Sequence, residues 1–421
     1  MRVCLLAYRG NPYAGGQGVY VYHLTRALAE QGHQVDVIVG PPYPLELGPY
    51  ATVHKLPNLN LWGRYRRSWL PAERPLRLLA PGHLFDFAAT RLRFFPEPLS
   101  FSVRALLYLG RLLRRRRFDV LHDVQTLGYG MLGMRAFGLP LLTTVHHPLT
   151  IDRREAFARD RTFEELYHTA VFYPVRMQGQ VIRRLHRVIT ASTAGREAIA
   201  TDFRVARERI SVVPGGLDTG FFRNPGQWQR RDASLLFVGN TDDWKKGARF
   251  LLAALRLLPR GVTLRIVDDP YPTKKLAYEE AQRLGVVERV RFLGKLDAVA
   301  LREEYCRCTL LVQPSLFEGL GLPAAEALAC ETPVVATAVG AVPEVVPPQA
   351  GLLVPPADPP ALAHAIQALL EDPARRRAMG EAGCAHLRAE LDWSVTGART
   401  AAVYRDVLGA PAPAEPLPVA S

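Results

Sequence analysis

Cysteine is scarce in this chain: five in 421 residues, an odd number, with only Cys306 and Cys308 close together. That excludes a disulfide framework, and no second Cys/His pair stands at zinc-ligand spacing around them. Reduced, buried thiols are expected, which favours the cytosol. Long apolar runs are also missing. No stretch of about 18 apolar residues occurs, so no spanning helix is expected. The apolar run that follows Met1 is too short for a secretory signal, and no small-residue cleavage site follows it. Acidic residues are the third shortage: 40 Asp+Glu against 53 Lys+Arg leave a net charge of +13. Such an excess suggests an anionic partner: nucleic acid, an acidic membrane surface or a phosphate-bearing substrate.

What is present is ordinary globular material. A hydrophobic fraction of 48% excludes global disorder, and the length predicts two or three domains. Short apolar segments alternate with helical patterns. Arg2–Ala7 reads as a buried strand, followed by a loop with Gly15, Gly16 and Gly18, a helix over Tyr20–Gln31 and a strand over Gln34–Val39. Further strands are expected at Asp119–His122, Leu141–His146, Val188–Ser192 and Arg209–Val213. The alternation then restarts with strands at Ser234–Gly239, Thr263–Val267, Val290–Leu293, Thr309–Gln313 and Pro333–Ala336, and a helix over Lys246–Leu258. Two successive βαβ arrays predict two Rossmann-like domains. The Pro/Ala-rich tail 410–421 reads as disordered. Residues 59–98 fit the alternation poorly.

The most informative stretch runs from Pro314 to Ala329. A strand leads into a Gly-containing loop, and a helix opens at Pro323, in whose first turn a missing N–H costs nothing. The amides of Leu320, Gly321 and Leu322 then lie at a helix N-terminus, a ready anion site. Glu318 in the loop and Glu326 in the first turn flank those amides, beyond the carboxyl end of a strand, where open α/β sheets bind ligands. Such carboxylates can accept hydrogen bonds from ribose or sugar hydroxyls. The plainer alternative makes Glu326 a partner of the helix dipole and Glu318 a solvated loop residue.

This segment resembles the Glu-x7-Glu motif of the retaining family 4 glycosyltransferases. The likeness extends over Pro314-Ser315, Gly321-Leu322-Pro323, Pro333–Thr337, Gly340, Pro343-Glu344 and Gly351–Pro355. Upstream it includes Phe292-Leu293-Gly294, Val213–Asp218, the Gly15-Gly16 loop and Gly32–Val35. It covers most of the chain from Arg2 to Val407 and thins over 59–117. The resemblance implies the GT-B fold, two Rossmann-like β/α/β domains facing a deep cleft: 1–216 for the acceptor, 217–391 for the donor, and a helix over 392–409 returning to the first domain. It further implies that Glu326 holds the ribose of a nucleotide diphosphate sugar, that Glu318 contacts the transferred sugar, and that Leu320, Gly321 and Leu322 offer amides to sugar and phosphate. Lys246 matches the family's phosphate-binding lysine, after the strand ending at Gly239. Asn240 stands where the family usually has arginine, which leaves open what compensates for the lost cation. His146 matches a histidine that the family places near sugar and acceptor, with His147 as the alternate register. Gly16 would approach the diphosphate.

Asp242, Asp243, Asp268 and Asp269 read as caps or solvated carboxylates rather than metal ligands, and neither a metal nor a cofactor is expected. The Gly15–Gly18 loop is not a Gly-x-Gly-x-x-Gly pattern, which counts against NAD.

The basic excess is concentrated in 61–117, where thirteen arginines face three carboxylates, a net of +10 interleaved with aromatics. Over Leu99–Arg115 a helix is expected with Val103, Leu106, Leu107 and Leu113 on its apolar side and Arg104, Arg111 and Arg115 opposite. This suits an anionic membrane surface; the alternative is an ordinary helix with an Arg-rich solvent face. No nucleic-acid motif accompanies the charge. The expected activity is retaining transfer of a hexosyl unit from a nucleotide diphosphate sugar to a hydroxyl acceptor, lipid-linked or a small metabolite. A GT-B-like epimerase or phosphorylase is the alternative, and a non-catalytic binding scaffold the remote one.

Overall fold

The structure is a computed structural model describing residues 1–10, 16–43, 47–58, 81–268 and 275–409. Several expectations therefore lie outside the described residues: the loop through Gly15, the part of the basic segment up to residue 80, Asp269 and the tail 410–421. The chain divides into two compact units. The first comprises Met1–Val213 with the stretch from Thr396, and the second Pro214–Val395.

The first unit is built on seven strands: β1 (Arg2–Ala7), β2 (Gln34–Val39), β3 (Thr52–Lys55), β4 (Val120–Val124), β5 (Leu141–Val145), β6 (Arg187–Thr190) and β7 (Ile210–Val212). They pair in parallel in the order β3-β2-β1-β4-β5-β6-β7. Every residue of β4 and β5 is buried, His122, Asp123, Thr143 and Thr144 included, so both faces of these strands are covered. The second unit carries β8 (Ser234–Val238), β9 (Thr263–Val267), β10 (Val290–Phe292), β11 (Leu310–Gln313), β12 (Val334–Thr337) and β13 (Gly351–Val354), in the parallel order β10-β9-β8-β11-β12-β13. Successive side chains of β8 serve opposite faces. Leu235 joins the core under the helices Ala248–Leu257 and Pro359–Glu371, while Leu236 joins the one under Ala298–Arg307 and Leu322–Ala329. Each such fully buried leucine contributes about 1.5–3 kcal/mol.

In both units the strand order reverses at the centre, between β1 and β4 and between β8 and β11. These switch points are where doubly wound sheets open a ligand crevice. The helix Trp393–Gly409 supplies Ala401, Tyr404 and Val407 to the first unit's interior, and the Tyr404 hydroxyl lies 2.6 Å from His122 Nδ1. All five cysteines are buried and free. Among the described residues no helix is long and apolar enough to cross a membrane.

The basic helix departs from expectation. It spans Glu97–Leu112 and buries Ser100, Phe101, Ser102, Ala105 and Leu109, while Val103 and Leu107 are 42% and 62% exposed. The inward face combines the bulk of Phe101 and Leu109 with a close approach at Ser102, whose Oγ accepts a hydrogen bond from Gly130 N at 3.1 Å, a distance a larger residue would prevent. Arg104 does not stand on a solvent stripe but reaches Asp86 at 3.2 Å and Ser100 at 3.1 Å. Strands β3 and β13 and the helices Pro81–Arg91, Leu149–Arg159 and Phe163–Phe172 stand where the apolar pattern of the sequence predicts no element.

Candidate active site

Two loops leave the carboxyl ends of β8 and β11. In the first, Asn240 Oδ1 accepts from Asp242 N at 3.1 Å, and Asp243 Oδ1 accepts from Lys245 N at 3.1 Å, opening the turn Trp244–Lys246. Gly247 follows with φ +69°, and a Cβ there would lie 2.0 Å from Pro314 O. Glycine thus lets the two loops touch backbone to backbone, and Leu316 N donates to Lys245 O at 2.7 Å.

That contact places Lys246 against Glu318. Lys246 Nζ donates to Glu318 Oε1 at 2.8 Å, and Ser315 Oγ donates to the same oxygen at 2.7 Å. Glu318 is only 7% exposed. It is not a solvated loop residue but a buried carboxylate compensated by one cation and one hydroxyl. Behind it Gly340, at φ +54°, passes so close that a Cβ would sit 1.9 Å from Glu318 O, and Ala341 N donates to that oxygen at 3.3 Å.

The helix Leu322–Ala329 begins after Gly321, one residue before the expected start, so Glu326 falls in its second turn rather than its first. Gln313 Oε1 accepts from Ala324 N at 3.0 Å, whereas the amides of Leu320, Gly321 and Leu322 donate to no acceptor among the described residues. Glu326 Oε2 accepts from the Tyr305 hydroxyl at 2.7 Å. Burial pushes the Glu326 carboxyl up to about 7, and the Tyr305 hydrogen bond pulls against that rise. Its Oε1 is uncommitted among the described residues.

Asp268 closes the β8 turn, Oδ2 accepting from Thr241 N at 2.6 Å and Thr241 Oγ1 at 2.8 Å. Among the described residues no cluster of His, Cys, Asp and Glu could hold a metal ion.

In the first unit Gly16 opens the helix Gly16–Glu30, and His146 follows β5. Gln125, in the left-handed region at φ +55°, accepts from His146 N at 2.9 Å and donates to His147 O at 2.8 Å, fixing that corner. The two histidines differ. His147 Nε2 lies 3.0 Å from Asp152, while His146 Nε2 is enclosed without a partner, its ring edge-on to Tyr20 at 4.5 Å. Burial lowers His146 to about 4, so its imidazole is neutral at physiological pH. Beneath it His122 Nε2 meets Thr144 Oγ1 at 2.7 Å.

The sequence reading brought Lys246, Glu318, Glu326 and the loop amides into one neighbourhood. It missed the role of Ser315, although that residue stood inside the quoted motif. It also missed Tyr305, whose only signal was an aromatic on a helix beside the motif strand, and Gln125, for which the sequence holds no signal.

Comparison with known proteins decides the family. Residues 14–221 match the family model described as Glycosyltransferase Family 4, and residues 232–372 match Glycosyl transferases group 1. The chain is 38% identical to the MMP alpha-(1->4)-mannosyltransferase of Mycolicibacterium hassiacum, over 97% of this chain and 98% of that protein. The chain belongs to glycosyltransferase family 4. This glycosyltransferase is also 29% identical to the D-inositol 3-phosphate glycosyltransferase of Kribbella flavida, over 94% and 92% of the two chains. Among solved structures it is similar to the sucrose-phosphate synthase of Thermosynechococcus elongatus, with a TM-score of 0.70 and 24% identity over 96% and 98% of the chains. It is likewise similar to Anabaena HepE in complex with UDP, with a TM-score of 0.68 and 18% identity over 96% and 100%. These likenesses give the glycosyltransferase the GT-B fold, with two Rossmann-like domains.

Proposed function

We propose that this glycosyltransferase moves a hexosyl unit from a nucleotide diphosphate sugar to a hydroxyl acceptor with retention of configuration. The observation that carries the reading is the grouping at the β8/β11 switch point: Lys246, Glu318, the uncommitted amides of Leu320–Leu322, and Glu326 with one carboxylate oxygen held and one open. Glu326 Oε1 accepts from the ribose hydroxyls while Tyr305 holds Oε2. The diphosphate sits on the three amides and the helix dipole. Lys246 turns from Glu318 to the phosphates, and the released Glu318 accepts hydrogen bonds from the sugar. Gly239 and Asn240 shape the turn that carries Lys246; Asn240 serves as a turn former and supplies no charge.

In the transfer the bond from sugar C1 to the phosphate oxygen breaks as the bond from C1 to the acceptor oxygen forms on the same face. The acceptor's proton passes to the departing phosphate. Lys246 and the amides stabilise the charge developing there. His146, neutral, hydrogen-bonds the sugar or orients the acceptor, and Gly16 allows backbone approach to the diphosphate. The names of relatives point the same way: HepE is described with UDP and with UDP-glucose, and the Mycolicibacterium relative as a mannosyltransferase. Within the described part of the basic segment, exposed Arg111, Arg114, Arg115 and Arg117 with Leu107 would carry any contact with an anionic membrane.

A panel of UDP-, GDP- and ADP-hexoses scored by thermal shift and by slow donor hydrolysis tests the reading. One nucleotide sugar should raise the melting temperature and release its nucleotide diphosphate with the sugar in the donor's own anomeric configuration. No shift with any donor, or release of the opposite anomer, contradicts it. Interconversion of one donor into its epimer without an acceptor indicates the epimerase alternative.

A further inference from the structure

The first unit contains a groove of about 820 Å³ walled by Phe85, Leu92, Phe95, Leu99, Phe172 and Met177. That volume lies within the ~300–1,000 Å³ of small-molecule sites, which are mostly apolar with a few polar groups to fix orientation. Its walls are not sealed: Phe85 is 46% and Leu92 59% exposed, an apolar surface that normally marks a binding site. The groove opens on the functional side of the sheet. Phe95 stands 6.1 Å edge-on to Tyr8, the residue after β1; Tyr129 on its wall follows β4; and Arg153 lies in the helix Leu149–Arg159 after β5. Ligands of open α/β sheets gather beyond these carboxyl ends.

Two arginines stand on the same walls. The Arg153 guanidinium lies 5.4 Å over the Phe157 ring, and Arg176 is exposed. Neither forms an ion pair among the described residues, whereas Arg93, Arg104 and Arg154 nearby each meet a carboxylate. No carboxylate lines the groove. An apolar trough with two uncommitted cations is complementary to a molecule with an apolar body and an anionic group.

We propose that this groove binds an anionic amphiphile as the non-reacting part of the acceptor, its chain or ring in the trough and its phosphate or carboxylate at Arg153 and Arg176. The assignment of the occupant to the acceptor rests on the glycosyltransferase reading above. The probes are octyl, decyl and dodecyl phosphate below their critical micelle concentrations, titrated calorimetrically into the full chain. One molecule of dodecyl phosphate should bind per chain, weakening about fourfold for each methylene removed. Dodecyl maltoside should bind at least tenfold more weakly, and inorganic phosphate should not displace the chain. Ala88→Trp, which places an indole from an exposed position of the wall, should abolish binding. The double variant R153Q/R176Q should bind dodecyl phosphate and dodecyl maltoside alike. All variants should keep the wild-type thermal shift with the nucleotide sugar, which reports folding and the donor site separately. Absence of dodecyl phosphate binding, equal affinity for the maltoside in the wild type, or binding only to phosphatidylglycerol vesicles overturns the proposal. A wild type that binds dodecyl phosphate but no nucleotide sugar overturns the donor reading instead.

Discussion

Lys246 Nζ lies 2.8 Å from Glu318 Oε1, joining the loop after β8 to the loop after β11 across the centre of the second sheet. The cation that would meet the donor phosphates and the carboxylate that would meet the donor sugar satisfy one another before either meets a ligand. Under the proposed function, binding the donor would exchange an internal ion pair for two contacts with the substrate, so that neither charge would be left buried alone.

Lys246→Ala removes that cation and leaves Glu318 with Ser315 as its hydrogen-bonding partner. The expected loss is about 10²-fold or more in kcat, on the scale of removing one group that stabilises developing charge. Lys246→Arg should rescue poorly, because a planar fork cannot replace a point charge bonded 2.8 Å from Glu318 beside the Ser315 hydroxyl. Steady-state kinetics with the donor found in the panel check both.

Glu326 should make donor binding release protons near neutrality. Its carboxyl is raised to about 7 by burial, so close to half of it is protonated at that pH. Ribose hydroxyls favour the ionised acceptor, so binding pulls the carboxyl down and expels a fraction of a proton. Calorimetry at pH 7 in buffers of different ionisation enthalpy measures this directly, and E326Q should abolish it. Affinity should fall as the pH drops below about 7. Tyr305→Phe removes a hydrogen bond that favours the ionised form, so its acid limb should move to higher pH, with KM for the donor affected more than kcat.

Acid should destabilise the first unit through its histidines. His122 is wholly buried and depressed to about 3, and His146 to about 4, both by burial. The native state holds them neutral while the unfolded chain takes up protons below about 6.5. Their contribution is therefore full above that pH and declines as the pH falls towards 4. For His122 the slope is about 1.2 kcal/mol per pH unit between pH 6 and 5. Urea unfolding of wild type and H122Q across that interval should show the variant losing stability less steeply.

Gly340→Ala tests the backing of Glu318. At φ +54°, with Glu318 O where the new Cβ must go, the substitution forces the loops apart. A stability loss of at least about 2 kcal/mol is expected, with a larger fall in kcat than Gly261→Ala, a position with open space around it.

The second unit was legible because its motif residues sit on loops whose geometry follows from strand, glycine and helix order. The family resemblance placed Glu318 and Lys246 at one donor site, but their mutual bond was not legible, since it depends on the contact between Gly247 and Pro314. Tyr305 was invisible as a holder of Glu326 because a buried tyrosine on a helix reads as core. In the first unit the arginines misled. Arg104 turns inward to Asp86, and the helix Glu97–Leu112 packs through Ser102 and Ala105 beside Phe101 and Leu109, a face the small residues hide from the apolar pattern. Asn240, in the place of an expected cation, proves to be a turn residue holding Asp242 N. The helices Leu149–Arg159 and Phe163–Phe172 carry no clean apolar period, and they reach the groove only through Arg153 of the first and Ala170, Val171 and Phe172 of the second.

The most direct test of the account is calorimetric titration of the panel's best nucleotide sugar into the wild type and Glu326→Ala. The account predicts one site per chain in the wild type and at least tenfold weaker binding in the variant, with the fold intact by its circular dichroism. Equal affinity in the two proteins would place the nucleotide elsewhere and contradict the assignment of the β8/β11 switch point as the donor site.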